Sequence, residues 1–567
     1  MEQADPAGVT ISQLVRARAS DPNPALRFEG SVWSWSEVVQ QAAQRAALVS
    51  AHRPRDGAPF HVGVLLENTT EFWFMLCGAA LCGATIVGIN PTRRGQELAR
   101  DIAHTDCALL MTETSGLSLF DASPAVLERG RTFIVDDQSW SRALLPFAGA
   151  ALAEDEVTPA DTFMLIFTSG TTGAPKAVRM SQGKLAQWGA RLAGMFALSP
   201  NDVCYSVMPL FHSNAAVAGF TNVLVSGATV ALRRRFSASG FLPDVREHGV
   251  TFFNYVGKPL TYILATPEQP DDSDNTLRIA FGNEAAPLDV ERFARRFGCT
   301  VVDGYGSTEG GISIGRTPDA PAGSLGRPAA PVRAEIRDPD SGKQCPPAEF
   351  DEQGRFLNAE HAIGEIVNPD GPGAFEGYYN NPEADAERVR GGVYWSGDLG
   401  YRDADGFFYF AGRTGDWLRV DGENFAAAPV EAIVSRHPDV VLAAVYAVPS
   451  SDVGDEVMVA LHLREDVTFD PAGFASFLVD QPDLSRKWMP RFVRVSAAGL
   501  PSTVTQKVLK RVLRSEHWEC HDPVWWRPGR DIDFRVFVPD DASELRARFE
   551  TRGRAHLLGR RDGGAGT

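Results

Sequence analysis

Short apolar runs alternate with amphipathic helical patterns along more than half of this 567-residue chain. The runs are typical of strands, and the apolar residues between them recur at helical spacing. The predicted strands are residues 62–66, 84–88, 109–112, 251–256, 277–281 and 301–304, and the predicted helices are residues 71–81, 94–103 and 288–297. Such alternation predicts an α/β protein of βαβ units with mostly parallel sheets and helices on both faces. Ligands of such sheets bind at the carboxyl ends of the strands.

Residues 72–89 form an apolar stretch about long enough to span a bilayer. Gly78, Gly83 and Gly88 interrupt this stretch, and an amphipathic segment follows it. We interpret it as a buried helix that leads into a buried strand, with a membrane span as the alternative. The sequence is therefore expected to contain no transmembrane segment.

The pattern changes twice toward the C-terminus. From about residue 321, alternating residues at 332–337 and 364–368 and frequent Gly and Pro predict antiparallel strands in a small barrel-like part. After a break at residues 412–416, the pattern predicts a small α+β domain. Its expected helices and strands are residues 429–436, 440–448, 456–463 and 471–478. A further helix is expected from residue 541, with Glu544 placed for a capping box. The predicted organisation is an N-terminal core (1–412), a hinge (413–416), a C-terminal domain (417–515), an extension (516–553) and a disordered tail (554–567).

The charge and the cysteines exclude some classes of function. A net charge of −17 gives no broad positive field for nucleic acid, so an anionic ligand needs local cations. The seven cysteines are scattered without a C-x-x-C pair, which favours a reducing compartment over a disulfide framework or a zinc site. The first residues lack the basic-then-apolar pattern of a signal peptide, so we expect a cytoplasmic protein.

The sharpest local pattern is an apolar run that leads into a hydroxyl- and glycine-rich loop followed by a lysine. Thr168 ends the run and Lys176 follows the loop, which contains Ser169, Gly170, Thr171, Thr172 and Gly173. Glycines let the backbone turn its N–H groups toward an anion, hydroxyls add donors, and a lysine adds a positive charge for phosphate. Because no Gly-Lys-Ser/Thr closes it, the loop is not a Walker A motif. We predict a phosphate-binding loop, the alternative being an ordinary surface loop.

This segment resembles the phosphate loop of the adenylate-forming enzymes, which include acyl-CoA synthetases, non-ribosomal peptide adenylation domains and luciferases. The resemblance covers nearly the whole chain, and further motifs follow in the order of that superfamily. They are residues 282–285 (GNEA), 303–309 (DGYGSTE), 394–398 (YWSGD), 412–413 (GR) and 500–507 (LPSTVTQK). Each motif alone has a plain structural alternative, but their order favours the superfamily.

The resemblance implies how the chain binds ATP. The residues implied for the nucleotide, besides the phosphate loop, are Gly282, Asn283, Glu284, Asp303, Tyr305, Gly306, Asp398 and Arg413. In that scheme Tyr305 stacks on adenine, and Asp398 holds the ribose hydroxyls with Arg413 as its partner.

The resemblance also implies a reaction in which a carboxylate attacks the α-phosphorus of ATP and expels pyrophosphate. Such a reaction needs positioning and preorganised positive charge and no side-chain nucleophile. By the resemblance, Thr308 contacts the α-phosphate, Glu309 binds Mg²⁺, and Lys507 is the catalytic lysine that neutralises the developing charge.

A second half-reaction is implied, in which the acyl group passes to the thiol of coenzyme A. In this superfamily the small C-terminal domain is mobile and rotates between the two half-reactions. Residues 421–424 (DGEN), with Gly422, resemble the segment presented for the second step. His212 matches a position near the acyl pocket and is a candidate gate for the thiol, the alternative being a packed imidazole.

Four features depart from the common pattern or narrow it. The hinge segment carries Gly415, and residues 255–257 read YVG; both resemble the fatty-acid-transport and very-long-chain branch of acyl-CoA synthetases. Gln506 precedes Lys507, where glycine is usual. The extension contains Trp525 and Trp526, which we interpret as packing anchors, with a lipid-surface role as the alternative.

The acid substrate is expected to contact residues 211–216, 255–258 and 310–314. Gly257, Gly310 and Gly311 suggest a roomy pocket. The first hypothesis is a fatty or aryl acid–CoA ligase that requires ATP and Mg²⁺. The second keeps adenylation but changes the acceptor to a carrier-protein thiol or an amine, or activates nitrite for diazotisation. The third is a degenerate scaffold or acyl-AMP sensor. The sequence predicts no oligomeric state.

Overall fold

The architecture comes from a computed structural model of the chain. The structure describes residues 8–120, 131–168, 176–317, 319–321, 323–328, 331–352, 356–413, 417–420, 423–452, 454–503, 507–529 and 532–558. The chain divides into two compact units: Met1–Ser313 with Asp370–Tyr394, and Ile314–Pro369 with Trp395–Thr567. The predicted domain boundaries at 412/413 and 515/516 stay predictions, and residues 414–416 of the predicted hinge lie outside the described residues.

The first unit contains a six-stranded sheet. Its strands, in spatial order, are Thr132–Ile134, Cys107–Thr112, His61–Leu65, Thr85–Gly88, Thr162–Thr168 and Lys176–Ser181. All neighbours are parallel except the last pair, which is antiparallel. The parallel order confirms the predicted βαβ units.

A second, seven-stranded sheet lies in the same unit. Its strands, in spatial order, are Thr300–Asp303, Ile279–Asn283, Phe252–Val256, Val203–Ser206, Thr229–Leu232, Pro24–Phe28 and Ser31–Ser34. Only the last pair is antiparallel. Aromatic side chains pack on this sheet, for example Phe241 against Phe253 with ring centroids 5.0 Å apart. The predicted strands 251–256, 277–281 and 301–304 therefore exist, with ends shifted by at most two residues.

The remaining elements of the first unit are mostly helices. The α-helices are Ile11–Ala17, Trp35–Ala51, Thr70–Cys82, Gly95–His104, Thr114–Leu117, Gln138–Leu144, Gln182–Met195, Asn222–Ser226, Phe241–His248, Pro259–Leu264, Pro287–Phe297 and Pro382–Arg388. A 3₁₀ turn, Leu145–Phe147, and a π-helix, Ala215–Thr221, complete the helical set. Short strands lie at Tyr305–Gly306 and Val389–Arg390.

The apolar stretch 72–89 is a buried helix followed by a buried strand, as predicted. Thr69 caps the helix Thr70–Cys82 by accepting a hydrogen bond from the Phe72 N–H, and every residue from Glu71 to Cys82 is buried. Gly83, with φ of 67°, ends the helix in the left-handed conformation. Among the described residues, no helix combines the length and apolar character that crossing a membrane requires.

The second unit begins with an antiparallel region. Strands Ser313–Gly315 and Arg327–Pro328 pair antiparallel through Ile314 and Gly315. The main strands, in spatial order, are Glu335–Arg337, Gly364–Asn368, Val393–Arg402 and Phe408–Arg413, with the short helix Ala359–Ala362 between the first two along the chain. This region is the small antiparallel part that the sequence predicted, although its first main strand starts three residues later than expected.

A mixed five-stranded sheet follows in the second unit. Its strands, in spatial order, are Val440–Pro449, Asp455–Leu463, Phe492–Val495, Val524–Trp526 and Arg535–Val536. Its helices are Ala427–Val434, Pro471–Val479, Lys510–Glu516, Pro539–Thr551 and the 3₁₀ turn Ala555–Leu558, and the hairpin Trp417–Val420 with Glu423–Ala426 precedes them. The α+β pattern is therefore confirmed, and strands of the predicted extension continue its sheet.

Both tryptophans of the predicted extension are packing anchors. The Trp526 ring is stacked near Phe492 with centroids 6.2 Å apart, and Trp526 is 3% exposed. Trp525 packs on Phe469 with centroids 4.7 Å apart. These contacts account for both side chains and favour packing over the lipid-surface alternative.

Candidate functional site

The two strands around the predicted phosphate loop bring its ends together. Thr168 ends one strand and pairs in register with Lys176, which begins the next, antiparallel strand. Ser169, Gly170, Thr171, Thr172 and Gly173 lie outside the described residues. Lys176 is 5% exposed, and its Nζ lies 3.0 Å from Glu387 Oε2. A buried ammonium therefore follows the predicted loop and pairs with the Glu387 carboxylate, whose side chain is 60% exposed.

The Glu309 carboxylate is the centre of a buried network. Its Oε1 accepts a hydrogen bond from the Tyr378 hydroxyl at 2.9 Å and another from the Thr168 hydroxyl at 3.4 Å. Arg388 Nε donates to the same Tyr378 oxygen at 2.9 Å. Burial, followed by the Glu309 charge, raises the pKa of Tyr378, so its phenol stays a donor. The network fixes the direction of a carboxylate that is itself 6% exposed.

These oxygens suit a magnesium ion chemically. Mg²⁺ prefers hard oxygen ligands, and it takes one or two protein carboxylates with the remainder from phosphate and water. Glu309 supplies a carboxylate, and the Thr168 hydroxyl lies beside it. In the structure, Glu309 therefore lies beside Thr168, and its role as a metal ligand stays a prediction.

Thr308 joins this centre to the predicted acid pocket. Its hydroxyl lies 2.8 Å from the Ser213 hydroxyl, in the segment that contains His212. The Asn214 N–H donates to His212 Nδ1 at 3.3 Å, which orients the imidazole. The π-helix Ala215–Thr221 begins directly after this segment, and π-helical turns are frequent at functional sites.

The predicted adenine side lies at the carboxyl ends of two parallel strands. Asp303 accepts hydrogen bonds from the Tyr255 hydroxyl at 2.8 Å and the Ala285 N–H at 3.1 Å. Gly282 is required for close packing, because a Cβ there would lie 2.3 Å from the Tyr255 carbonyl oxygen. Glu284 has φ of 67°, which few non-glycine residues adopt.

Three further residues of this side differ in their surroundings. The Asn283 side-chain oxygen is buried and has no hydrogen-bond partner among the described residues, so a ligand donor would satisfy it. Tyr305 is half-buried and Gly306 is exposed. Open space surrounds Gly306, since a Cβ there would meet nothing within 4 Å.

Hydrogen bonds connect these parts of the first unit into one site. The Asn254 amide donates to Asn214 Oδ1 at 2.7 Å, and the Asn214 amide donates to the Tyr255 carbonyl at 3.2 Å. The chain of contacts therefore runs from Glu309 and Thr308 through the His212 segment to Asp303.

Two glycines of the predicted acid pocket do not leave open space. A Cβ at Gly311 would lie 2.3 Å from the Tyr394 ring, and one at Gly310 would lie 2.5 Å from the Trp188 ring. Aromatic rings therefore lie where a side chain at either position would begin. Gly310 and Gly311 therefore serve close packing and do not indicate a roomy pocket; the size of the acid pocket stays a prediction.

The second unit contains the remaining predicted site residues. Asp398 and Arg413 pair in register across two antiparallel strands, with Oδ1 and Nε 3.5 Å apart. Lys507 is half-buried, and its backbone N–H donates to the Thr503 hydroxyl at 3.1 Å. Gly422 lies outside the described residues. The ion pair matches the expected partnership of Asp398 and Arg413; their role in binding ribose stays a prediction.

Sequence reasoning missed the residues that surround Glu309. Tyr378 and Arg388 fix its carboxylate, and Lys184 Nζ donates to its backbone carbonyl at 3.1 Å. A signal was present in the Gly-Tyr-Tyr-Asn-Asn-Pro stretch at residues 377–382, where a glycine, aromatic residues and a helix cap stand together.

Comparisons with known proteins identify the family of this chain. The family described as AMP-binding enzyme matches residues 15–379. Steroid-22-oyl-CoA synthetase of Rhodococcus jostii (strain RHA1) is 50% identical over 97% of this chain and 99% of its own. Medium/long-chain-fatty-acid–CoA ligase FadD17 of Mycobacterium marinum is 48% identical over 93% of this chain and 99% of its own.

A solved structure is similar over nearly the same length. The structure of o-succinylbenzoate coenzyme A synthetase from Bacillus subtilis, in complex with ATP and a magnesium ion, has a TM-score of 0.71 and 25% identity. The similarity covers 88% of this chain and 98% of that one. With its connected Thr168–Glu309–Thr308 centre, this chain belongs to the AMP-binding enzyme family, within the adenylate-forming superfamily that contains the acyl-CoA synthetases.

Proposed function

We propose that this chain is an AMP-forming acid–CoA ligase. In the first half-reaction a carboxylate oxygen forms a bond to the α-phosphorus of ATP, and the bond to pyrophosphate breaks. In the second, the thiol sulfur of coenzyme A bonds to the acyl carbon, the thiol loses its proton, and AMP leaves. The observation that carries the proposal is the buried Glu309 carboxylate, held by Tyr378 and beside the Thr168 hydroxyl.

The residues of the first unit suit the first half-reaction. Lys176 offers an ammonium to the phosphates once Glu387 releases it, and Thr308 offers a hydroxyl to the α-phosphate. Glu309 would hold Mg²⁺, which when bound supplies charge neutralisation on the pyrophosphate side. Asn283 and Tyr305 would recognise the adenine. Preorganised donors of this kind lower the barrier because they need no reorganisation when charge develops.

The roles in the second unit are proposed from the resemblance and from local geometry. Asp398 would bind the ribose hydroxyls, with Arg413 as its ionic partner. Lys507 would neutralise charge during adenylation, and Gly422 would belong to the segment used with coenzyme A. His212 is the proposed gate for the thiol.

For the acid we propose a large apolar carboxylate. The relatives at 50% and 48% identity are named for a steroid-22-oyl group and for medium- and long-chain fatty acids, respectively. A steroid side-chain acid is the first choice because the matching relative aligns over 97% of this chain. We also propose a cytoplasmic location, which the seven free cysteines support.

The test is product formation from a panel of steroid C22 acids, medium- and long-chain fatty acids, and benzoates. We expect acid-dependent ATP–pyrophosphate exchange and, with coenzyme A, acyl-CoA and AMP detected by mass spectrometry. Lys507→Ala should lower exchange by on the order of 100-fold and largely spare thioester formation from supplied acyl-adenylate. Lys343→Ala, at an exposed lysine of the same unit, is the matched control. Transfer only to a carrier protein or an amine, or no exchange with any acid, contradicts the proposal.

A further inference from the structure

Lys184 and Trp188 lie one turn apart on the helix Gln182–Met195. Lys184 is 7% exposed, and its Nζ donates to the backbone carbonyl of Glu309 at 3.1 Å. The same Nζ lies 4.8 Å from the centroid of the Trp188 ring. Residues four apart on a helix share one face, so the two side chains act on the same neighbouring segment.

Trp188 contacts that segment at the residue after Glu309. Gly310 has φ of +76°, and a Cβ there would lie 2.5 Å from Cζ2 and 2.6 Å from Cη2 of the Trp188 ring. The indole therefore packs directly on the Gly310 backbone. The ammonium holds one peptide group of the turn and the ring covers the next.

Burying an ammonium group costs free energy unless neighbouring groups compensate its charge. Burial lowers the pKa of Lys184 to about 8, while the charges of Glu376 and Glu309 oppose that decrease. Glu376 is itself fixed, because its carboxylate accepts hydrogen bonds from the Ser181 N–H at 2.8 Å and hydroxyl at 2.5 Å. An apolar side chain would be enough to fill this position. The Lys184 ammonium in addition donates a directed hydrogen bond, which fixes the Glu309 carbonyl.

We propose that Lys184 and Trp188 are positioning residues for adenylation, which hold the Glu309–Gly310 backbone so that the Thr308 hydroxyl and the Glu309 carboxylate face the phosphates together. The inference rests on the proposed function. Neither residue touches the reacting atoms in this scheme. A displacement of about 1 Å at such a site costs on the order of 100-fold in rate.

The test compares Lys184→Met with Arg191→Met, which removes a cation from an exposed position on the same helix. Lys184→Met should lower kcat for ATP–pyrophosphate exchange on the order of 10- to 100-fold and raise KM for MgATP, and leave thioester formation from supplied acyl-adenylate within about twofold. Arg191→Met should match the wild type in both half-reactions. Lys184→Gln, which keeps an N–H donor, should recover part of the exchange rate.

Two outcomes overturn the inference. One is equal exchange by Lys184→Met and Arg191→Met. If Lys184→Met does not fold, Lys184→Gln and Trp188→Phe are measured instead. The second contradicting outcome is that both variants lose the two half-reactions equally, because a merely structural role affects both steps. The proposed function is judged separately, on whether the wild-type enzyme forms acyl-CoA.

Discussion

Glu309 gathers its contacts from distant parts of the sequence. The Thr168 hydroxyl, the Tyr378 phenol and the Lys184 ammonium all bond to it, through its carboxylate or its carbonyl. The motif that contains Glu309 was recognisable in the sequence, because its chemistry is local. Its partners were not, because only the tertiary fold brings Lys184 to the Glu309 carbonyl and Tyr378, about 200 positions further along the chain, to the carboxylate of the same residue.

Replacing the Glu309 carboxylate tests its proposed role as a magnesium ligand. Glu309→Gln keeps the size but removes the charge, so we expect exchange to fall by on the order of 100-fold and the Mg²⁺ concentration for half-maximal rate to rise. The measurement is a magnesium titration of ATP–pyrophosphate exchange. Glu291→Gln, an exposed carboxylate on the helix Pro287–Phe297, is the control. An unchanged magnesium requirement in Glu309→Gln contradicts the assignment.

Gly311 offers a stability test of the close packing against the Tyr394 ring. A methyl group there would lie 2.3 Å from the Tyr394 ring, so Gly311→Ala should destabilise the protein by about 1–3 kcal/mol. Tyr394→Leu in the same chain should recover part of that loss, as measured by denaturant unfolding. In Gly194→Ala, where nothing lies within 4 Å on a helix, stability should instead rise by about 0.5–1 kcal/mol. Equal stability of Gly311→Ala and wild type would mean that the ring moves aside freely.

At the scale of elements, strong periodic signals were predictable and helix starts were less so. The strand at residues 364–368 was predicted with its observed ends, Gly364–Asn368. The last helix was expected from residue 541 with Glu544 as its capping partner, but it begins at Pro539. The reason is that the Asp541 carboxylate accepts a hydrogen bond from the Val538 N–H at 2.9 Å, so Asp541 caps the helix from within its first turn. Glu544 pairs with Arg548 instead.

The strand Val524–Trp526 makes the predicted extension part of a sheet rather than an appendage. Trp526 is nearly fully buried and stacks on Phe492, so Trp526→Ala should destabilise the second unit by about 3–5 kcal/mol. Val536→Ala, at a side chain that is 55% exposed in the neighbouring strand, should change stability by less than about 0.5 kcal/mol. Urea unfolding followed by fluorescence measures both. If Trp526→Ala lowers the free energy of unfolding only slightly, the extension is dispensable for the stability of the second unit.

At the scale of the whole molecule, the seven cysteines are all free, and burial raises the pKa of all seven thiols. The pKa rises to about 11 for Cys82 and Cys345 and to about 12 for Cys107 and Cys299. At pH 8 a thiol with a pKa of 11 is only about 0.1% thiolate, the reactive form. The scattered cysteines predicted a reduced protein from sequence alone, whereas the burial that protects them required the fold.

Native protein should therefore react slowly with a thiol reagent at pH 8, while the denatured chain without reductant should react at all seven cysteines. The unfolded chain ionises its thiols near pH 8.5. Their contribution to folding stability is thus complete below that pH, and stability falls as the pH rises toward 11. Timed colorimetric labelling from pH 7 to 10 should show the native rate increasing with pH as thiolate forms. Rapid labelling of most thiols in the native state at pH 8 would contradict their burial, and fewer than seven in denaturant would contradict their free state.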